Sequence, residues 1–309
     1  MNLYQYVAST FRSNAIVKTS TMDSSSNDNN DNISPSAAAD IFTPNQEGDE
    51  AQALPASWRG KPSALEPVTL YSWRVSPPAA KVRTLLRLFN INFQQIDGRM
   101  PGSKYRKVPV LLVGPGKFQI NDSFAIAKAL CPVLTGREMP ATECELEKAI
   151  TYKLMVALEL QVFQSREDFL KFSAQFSKTA TKDGFFAKAK RCMLTTMHAC
   201  VLQRLAPNMI AKRYPDAKGG KESASDVLSL LKKFRDAAPD RKQFLSGGNQ
   251  PGVLDASLFG AVAVFVECDI PFVKEMLTES GFYPTWYESI KTRLDGDVFG
   301  DNLSSSVSK

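Results

Sequence analysis

The sequence holds a single histidine, His198, and five cysteines with no Cys-x-x-Cys pair among them. One histidine excludes a two-histidine zinc helix, and a mixed site would have to join His198 to distant cysteines, so no metal centre is expected. His198 stands near Cys192 and Cys200, but two positions along a helix point to different faces, so a structural histidine is the expected role. An odd number of cysteines without a framework (Cys131, Cys144, Cys192, Cys200, Cys268) fits free, mostly buried thiols in a reducing compartment. Long apolar runs are scarce too. The run Ala256 to Val266 ends at Glu267 and Asp269, too short for a transmembrane span. Basic residues are not interleaved with aromatics, and the net charge of +6 is spread along the chain. That pattern reads as solvated surface and predicts no nucleic-acid partner.

What is present suffices for two domains: 309 residues, 43% of them hydrophobic. Residues 1–22 are rich in Ser and Thr and lack acidic groups, with only Arg12 and Lys18 as positive charges. They resemble a mitochondrial presequence, which makes a mitochondrial location the expectation and a cytoplasmic one the alternative. Asn, Asp, Ser and Pro dominate residues 23–66, with few large apolar groups to offset ordering entropy. Residues 1–66 are therefore read as a disordered tail or targeting segment.

At Val68 the texture changes. Val68 to Trp73 is a β-rich run, and Ser76-Pro77-Pro78 supplies a helix start with serine as N-cap and proline in the first turn. Val82, Leu85, Leu86 and Phe89 follow at helical spacing, predicting one buried stripe. Phe93 to Ile96 reads as a second strand. Val108-Pro109-Val110-Leu111-Leu112-Val113, a turn at Gly114-Pro115-Gly116, and Phe118 to Ile120 read as a hairpin. Asn121-Asp122-Ser123 then opens a helix to Leu130. The order β-α-β, then β-β-α, is that of the thioredoxin fold.

From Glu143 onward helical periodicity dominates. Leu146, Ile150, Leu154, Leu158 and Val162 form one stripe, Met193, Met197 and Val201 another, and Val227, Leu228, Leu230, Leu231 and Phe234 a third. After Pro251-Gly252, Asp255 is placed to reach back to an N-cap N–H. A last helix is expected over Thr285 to Leu294. The expected fold class is an α/β thioredoxin-like N-terminal domain (67–132) plus an all-α C-terminal domain (143–296), with a linker at 133–142 and a flexible tail at 297–309.

Three motifs in order, Tyr105 to Leu111 with Asn121-Asp122-Ser123, Phe244-Leu245-Ser246-Gly247-Gly248 before Pro251 and Asp255, and Pro284-Thr285-Trp286-Tyr287, resemble the glutathione transferase superfamily. The likeness covers about residues 67 to 295, and within the superfamily it is closest to the membrane-associated prostaglandin E synthase type 2 family. It implies glutathione as ligand, with Pro109 in cis and the Val108 backbone pairing with the tripeptide as an added strand. It implies that Ser123 and nearby N–H groups hold the γ-glutamyl carboxylate and that Asp122 meets the ligand's ammonium, although both residues would also serve as plain helix caps. Haem enters by family resemblance only. The implied partners are a small thiol and an apolar electrophile, with a homodimer or membership of a larger complex left open.

The sequence departs from that family at the first strand–helix junction. Ser76-Pro77-Pro78-Ala79 stands where the family has Cys-Pro-Phe-Cys, and Trp73, expected with Val108, Pro109, Asp122 and Ser123 to bind glutathione, replaces its tyrosine. Dithiol exchange needs both sulfurs and is excluded there. Ser76 would then either donate a hydrogen bond to a bound thiolate, as serines do in many transferases, or act as an N-cap alone; Pro77 and Pro78 offer no N–H donors. Two readings follow: a glutathione-dependent transferase or isomerase with Ser76 as its catalytic group, or a catalytically degenerate binding module or accessory subunit.

Overall fold

The computed structural model describes residues 54–105, 107–115, 118–178, 208, 220–237, 240, 243–295 and 298–299. The expected presequence, the stripe Met193-Met197-Val201 and His198 lie outside them. The first domain is built on four strands, β1 Val68–Ser72, β2 Gln94–Asp97, β3 Val110–Val113 and β4 Phe118–Asn121. They lie in the order β2-β1-β3-β4, β1 parallel to β2 and antiparallel to β3, and β3 antiparallel to β4. Helix α1, Pro77–Leu88, crosses between β1 and β2, and α2, Ser123–Thr135, follows β4. This is a thioredoxin-like α/β domain.

The second half is helical. A short connection after Gly136, the left-handed C-cap of α2, leads to α3 Ala141–Ala149, a π-helical turn Ile150–Leu154 and α4 Met155–Gln164. The expected linker at 133–142 is thus shorter, because both flanking helices run into it. Helices α5 Arg166–Lys178, α6 Gly220–Asp236, α7 Val253–Glu267, α8 Pro271–Glu279 and α9 Thr285–Arg293 complete the described part. Leu146, Ile150, Leu154, Leu158 and Val162 are all buried as their spacing predicts. Leu230 departs from its stripe. It is 48% exposed while Val227, Leu228 and Leu231 are buried, since α6 turns only one arc toward the core.

Helix α7 is apolar on every side, and each residue from Val253 to Val266 is buried. It is a core helix, and among the described residues no helix is long and apolar enough to cross a membrane. Its first turn is fastened by Asp255, whose carboxylate accepts from the N–H groups of Gly252 (3.0 Å), Leu245 (2.8 Å) and Ser246 (3.1 Å) and from the Trp286 indole (2.9 Å). Burial pushes the Asp255 carboxyl above its usual range, and those four donors oppose the shift.

Two boundaries differ from expectation. The segment Leu54 to Glu66, read from composition as part of a disordered tail, forms two short 3₁₀ turns, Ala56–Trp58 and Pro62–Leu65. Leu65 is fully buried in the core of the first domain, a burial worth about 2 kcal/mol. Trp58 meets Phe118 edge to face at 5.3 Å and covers Gly114, where an added Cβ would stand 2.4 Å from its ring. Gly114 needs its positive φ of 72° for the hairpin turn, and the missing side chain makes room for the indole. At the other end, Val298, assigned to a flexible tail, is buried in the helical core. A few large apolar groups in polar surroundings fixed both segments.

Helix α1 also differs. One buried stripe is predicted, yet Lys81, Arg83 and Thr84 are buried beside Val82, Leu85 and Leu86. The helix lies between the sheet's own core and α7, so two faces are covered instead of one.

Candidate functional site

The strand register brings the sequence-predicted residues to one end of the sheet. Tyr71 lies opposite Val110, and Val110 opposite Asn121. Because both pairings are antiparallel, the end of β1 (leading to Trp73 and Ser76), the start of β3 (Val108-Pro109) and the end of β4 (Asp122-Ser123) face the same edge. The Val108–Pro109 bond is cis.

Ser76 is the N-cap of α1. Its Oγ accepts from the Ala79 N–H at 3.4 Å, a long contact, and the residue is 1% exposed. A hydroxyl that accepts one bond keeps its proton to donate elsewhere. The preceding loop is held by Arg83, a buried arginine that donates Nη1 to the Trp73 carbonyl (3.3 Å) and Nη2 to the Arg74 carbonyl (2.6 Å). Trp73 is buried, and the Arg99 guanidinium lies 5.8 Å above its ring. At the end of β2, opposite Ser72, burial pushes the Asp97 carboxyl upward, and the charge of Arg83 opposes this.

Asp122 is the N-cap of α2 and adopts φ 72°, a left-handed value for a residue with a side chain. Such backbone costs about 1–3 kcal/mol and persists only where its surroundings hold it. Here Asp122 Oδ1 accepts from the Phe124 N–H (2.8 Å), the Ala125 N–H (3.4 Å) and the Tyr152 hydroxyl (3.0 Å). Ser123 follows at the first helical position, 2% exposed, and its Oγ is buried with no hydrogen-bond partner among the described residues. The helix N-terminus beside it has a positive dipole end, which favours an anion, while its Phe124 and Ala125 N–H groups are already taken by Asp122.

A second polar cluster joins the domains nearby. Lys81 of α1 pairs with Glu147 of α3 and with the Thr151 hydroxyl, all three buried. Sequence reading missed Lys81, Arg83 and Tyr152. Each is a polar or amphipathic residue off its helix's apolar stripe, where solvent is the default expectation. Among the described residues no group of His, Cys, Asp or Glu could hold a metal ion.

No family model and no curated protein matches the sequence. Among solved structures the chain is similar to Ure2p in complex with glutathione, at 15% identity over 78% of this chain and 95% of that one, with a TM-score of 0.44. It is also similar to a glutathione S-transferase from Rhodospirillum rubrum F11, at 18% identity over 78% and 94%, TM-score 0.41. A sigma class glutathione S-transferase from Fasciola hepatica gives 17% identity over 74% and 93%, TM-score 0.41. Strand order and the helical half, rather than these likenesses, define the architecture: a thioredoxin-like domain followed by a domain whose described elements are all helices.

Proposed function

We propose that this chain binds glutathione at the sheet edge formed by Ser76, Val108, Pro109, Asp122 and Ser123, and presents its thiol to an apolar electrophile. The observation that carries the reading is the Ser123 hydroxyl: 2% exposed, without a hydrogen-bond partner among the described residues, at the N-terminus of α2. A buried hydroxyl left unpaired costs about 1–3 kcal/mol, and a ligand carboxylate would recover that cost. Support also comes from the three junctions after β1, before β3 and after β4 meeting at one end of the sheet, where the resemblance implies pairing of the tripeptide with the Val108 backbone.

Ser76 would donate to the thiolate while Ala79 N–H donates to Ser76, lowering the thiol pKa and raising the reactive fraction near neutral pH. A narrower form of the proposal is isomerase chemistry of the prostaglandin E synthase type 2 kind, in a mitochondrial setting, with serine in place of cysteine. The second reading, a binding module without chemistry, is favoured by Pro77 and Pro78, which deprive the first turn of N–H donors beside Ser76.

Calorimetric titration with glutathione tests the binding. A dissociation constant below the millimolar range is expected, weakened about tenfold or more by Ser123→Ala. No binding at millimolar glutathione would overturn the proposal. The ultraviolet absorbance of bound thiolate then separates the two readings: a lowered thiol pKa that Ser76→Ala raises by about one to two units supports catalysis, and an unshifted thiol in the parent protein supports the binding module.

A further inference from the structure

The helical half reaches the candidate site through Tyr152. This residue lies on the π-helical turn Ile150–Leu154 between α3 and α4, is 6% exposed, and donates its hydroxyl to Asp122 Oδ1 at 3.0 Å. A π turn adds a residue to the helical repeat, and such turns recur at functional sites. Two consecutive residues, Thr151 and Tyr152, thereby meet the first domain, at Lys81 and at Asp122 respectively, while Ile150 and Leu154 stay in the core. The Tyr152 ring packs against Phe124 at 5.8 Å between centroids, which fixes its approach.

The three donors to Asp122, two backbone N–H groups and this hydroxyl, all fall on Oδ1. Oδ2 carries none of them, and the residue is only partly buried. We infer that Tyr152 is a positioning residue for ligand recognition: by joining the donors on Oδ1 it locks the Asp122 carboxylate so that Oδ2 meets the α-ammonium of a γ-glutamyl ligand. The inference rests on the proposed glutathione site and adds to it a source of specificity. Discrimination for the ammonium group runs through the helical domain, so a thiol peptide lacking that group gains nothing from Tyr152.

The test is a calorimetric comparison of glutathione with its desamino analogue, in which a glutaryl group replaces γ-glutamyl. Tyr152→Phe keeps the ring contact with Phe124, and its fold is checked by circular dichroism. Glutathione affinity is expected to fall about tenfold in Tyr152→Phe, the analogue's affinity to stay unchanged, and Tyr152→Phe to cost nothing further in an Asp122→Asn background. Equal losses for both ligands would show a merely structural tyrosine and overturn the inference. Unchanged glutathione affinity would overturn it while leaving the glutathione site standing. Failure of the parent protein to bind glutathione would overturn both.

Discussion

Gly260 of α7 and Lys81 of α1 touch backbone to backbone: a Cβ at Gly260 would stand 2.4 Å from the Lys81 N and Cα and 2.7 Å from the Ala80 carbonyl carbon. These are main-chain atoms of a helix and cannot swing aside. The two domains are therefore held at a distance that only glycine permits. Gly260→Ala is expected to destabilise the protein by about 1–3 kcal/mol or more through overpacking. Urea denaturation checks this; a change below about 0.5 kcal/mol would mean that α1 and α7 can part without penalty.

The same contact buries the Lys81–Glu147 pair, with side chains 1% and 0% exposed. Removing one partner strands a buried charge. Lys81→Met and Glu147→Leu are each expected to cost about 3–5 kcal/mol, whereas the two together cost less than either alone. Strict additivity of the two single losses would show that the charges do not depend on each other.

Asp255 ties the loop from Leu245 to Gly252, the start of α7 and Trp286 of α9 through four N–H donors. Asp255→Ala leaves those donors buried and unsatisfied, for an expected loss of about 3–5 kcal/mol. Asp255→Asn retains one acceptor oxygen and is expected to lose about half as much. Equal losses for the two variants would show that the retained acceptor oxygen contributes nothing and would overturn this reading.

Alkaline pH tests the far side of the helical domain. Tyr287, stacked on Phe259 at 4.9 Å, donates to Glu267 Oε1 at 3.0 Å, and Lys291 donates to the same oxygen at 2.7 Å. Burial first, then the Glu267 charge, raise the tyrosine's pKa well above 10.0. The folded state thus keeps a proton that the unfolded chain loses above about pH 10, so stability must fall as pH rises through that range. Lys291, raised chiefly by its hydrogen bond to Glu267, adds a smaller loss of the same sign, since its side chain is partly open to solvent. Tyr287→Phe is expected to cost about 1 kcal/mol at pH 7 and less at pH 11. A cost that stays constant between the two pH values would refute the assignment.

Local patterning established the strands and helices. The alternation or continuity of apolar residues, Ser76 and Asp122 at helix starts, and Asp255 three positions after Gly252 act within a few residues of themselves, so a linear reading finds them. The same holds for the junctions at Val108-Pro109 and Asp122-Ser123, since a β-β-α order places both at one edge of the sheet. The sequence was silent about residues whose role depends on partners far along the chain. Lys81 meets Glu147 across 66 positions and Tyr152 meets Asp122 across 30. A lysine or tyrosine beside an apolar stripe carries the same local signature whether it faces water or a second domain. Leu65 and Trp58 were hidden in a polar segment for the same reason, because composition averages over a window while burial is decided one side chain at a time. Only the docking of α1 against α7 settled which polar groups would be enclosed, and it did so because Gly260 let two backbones meet.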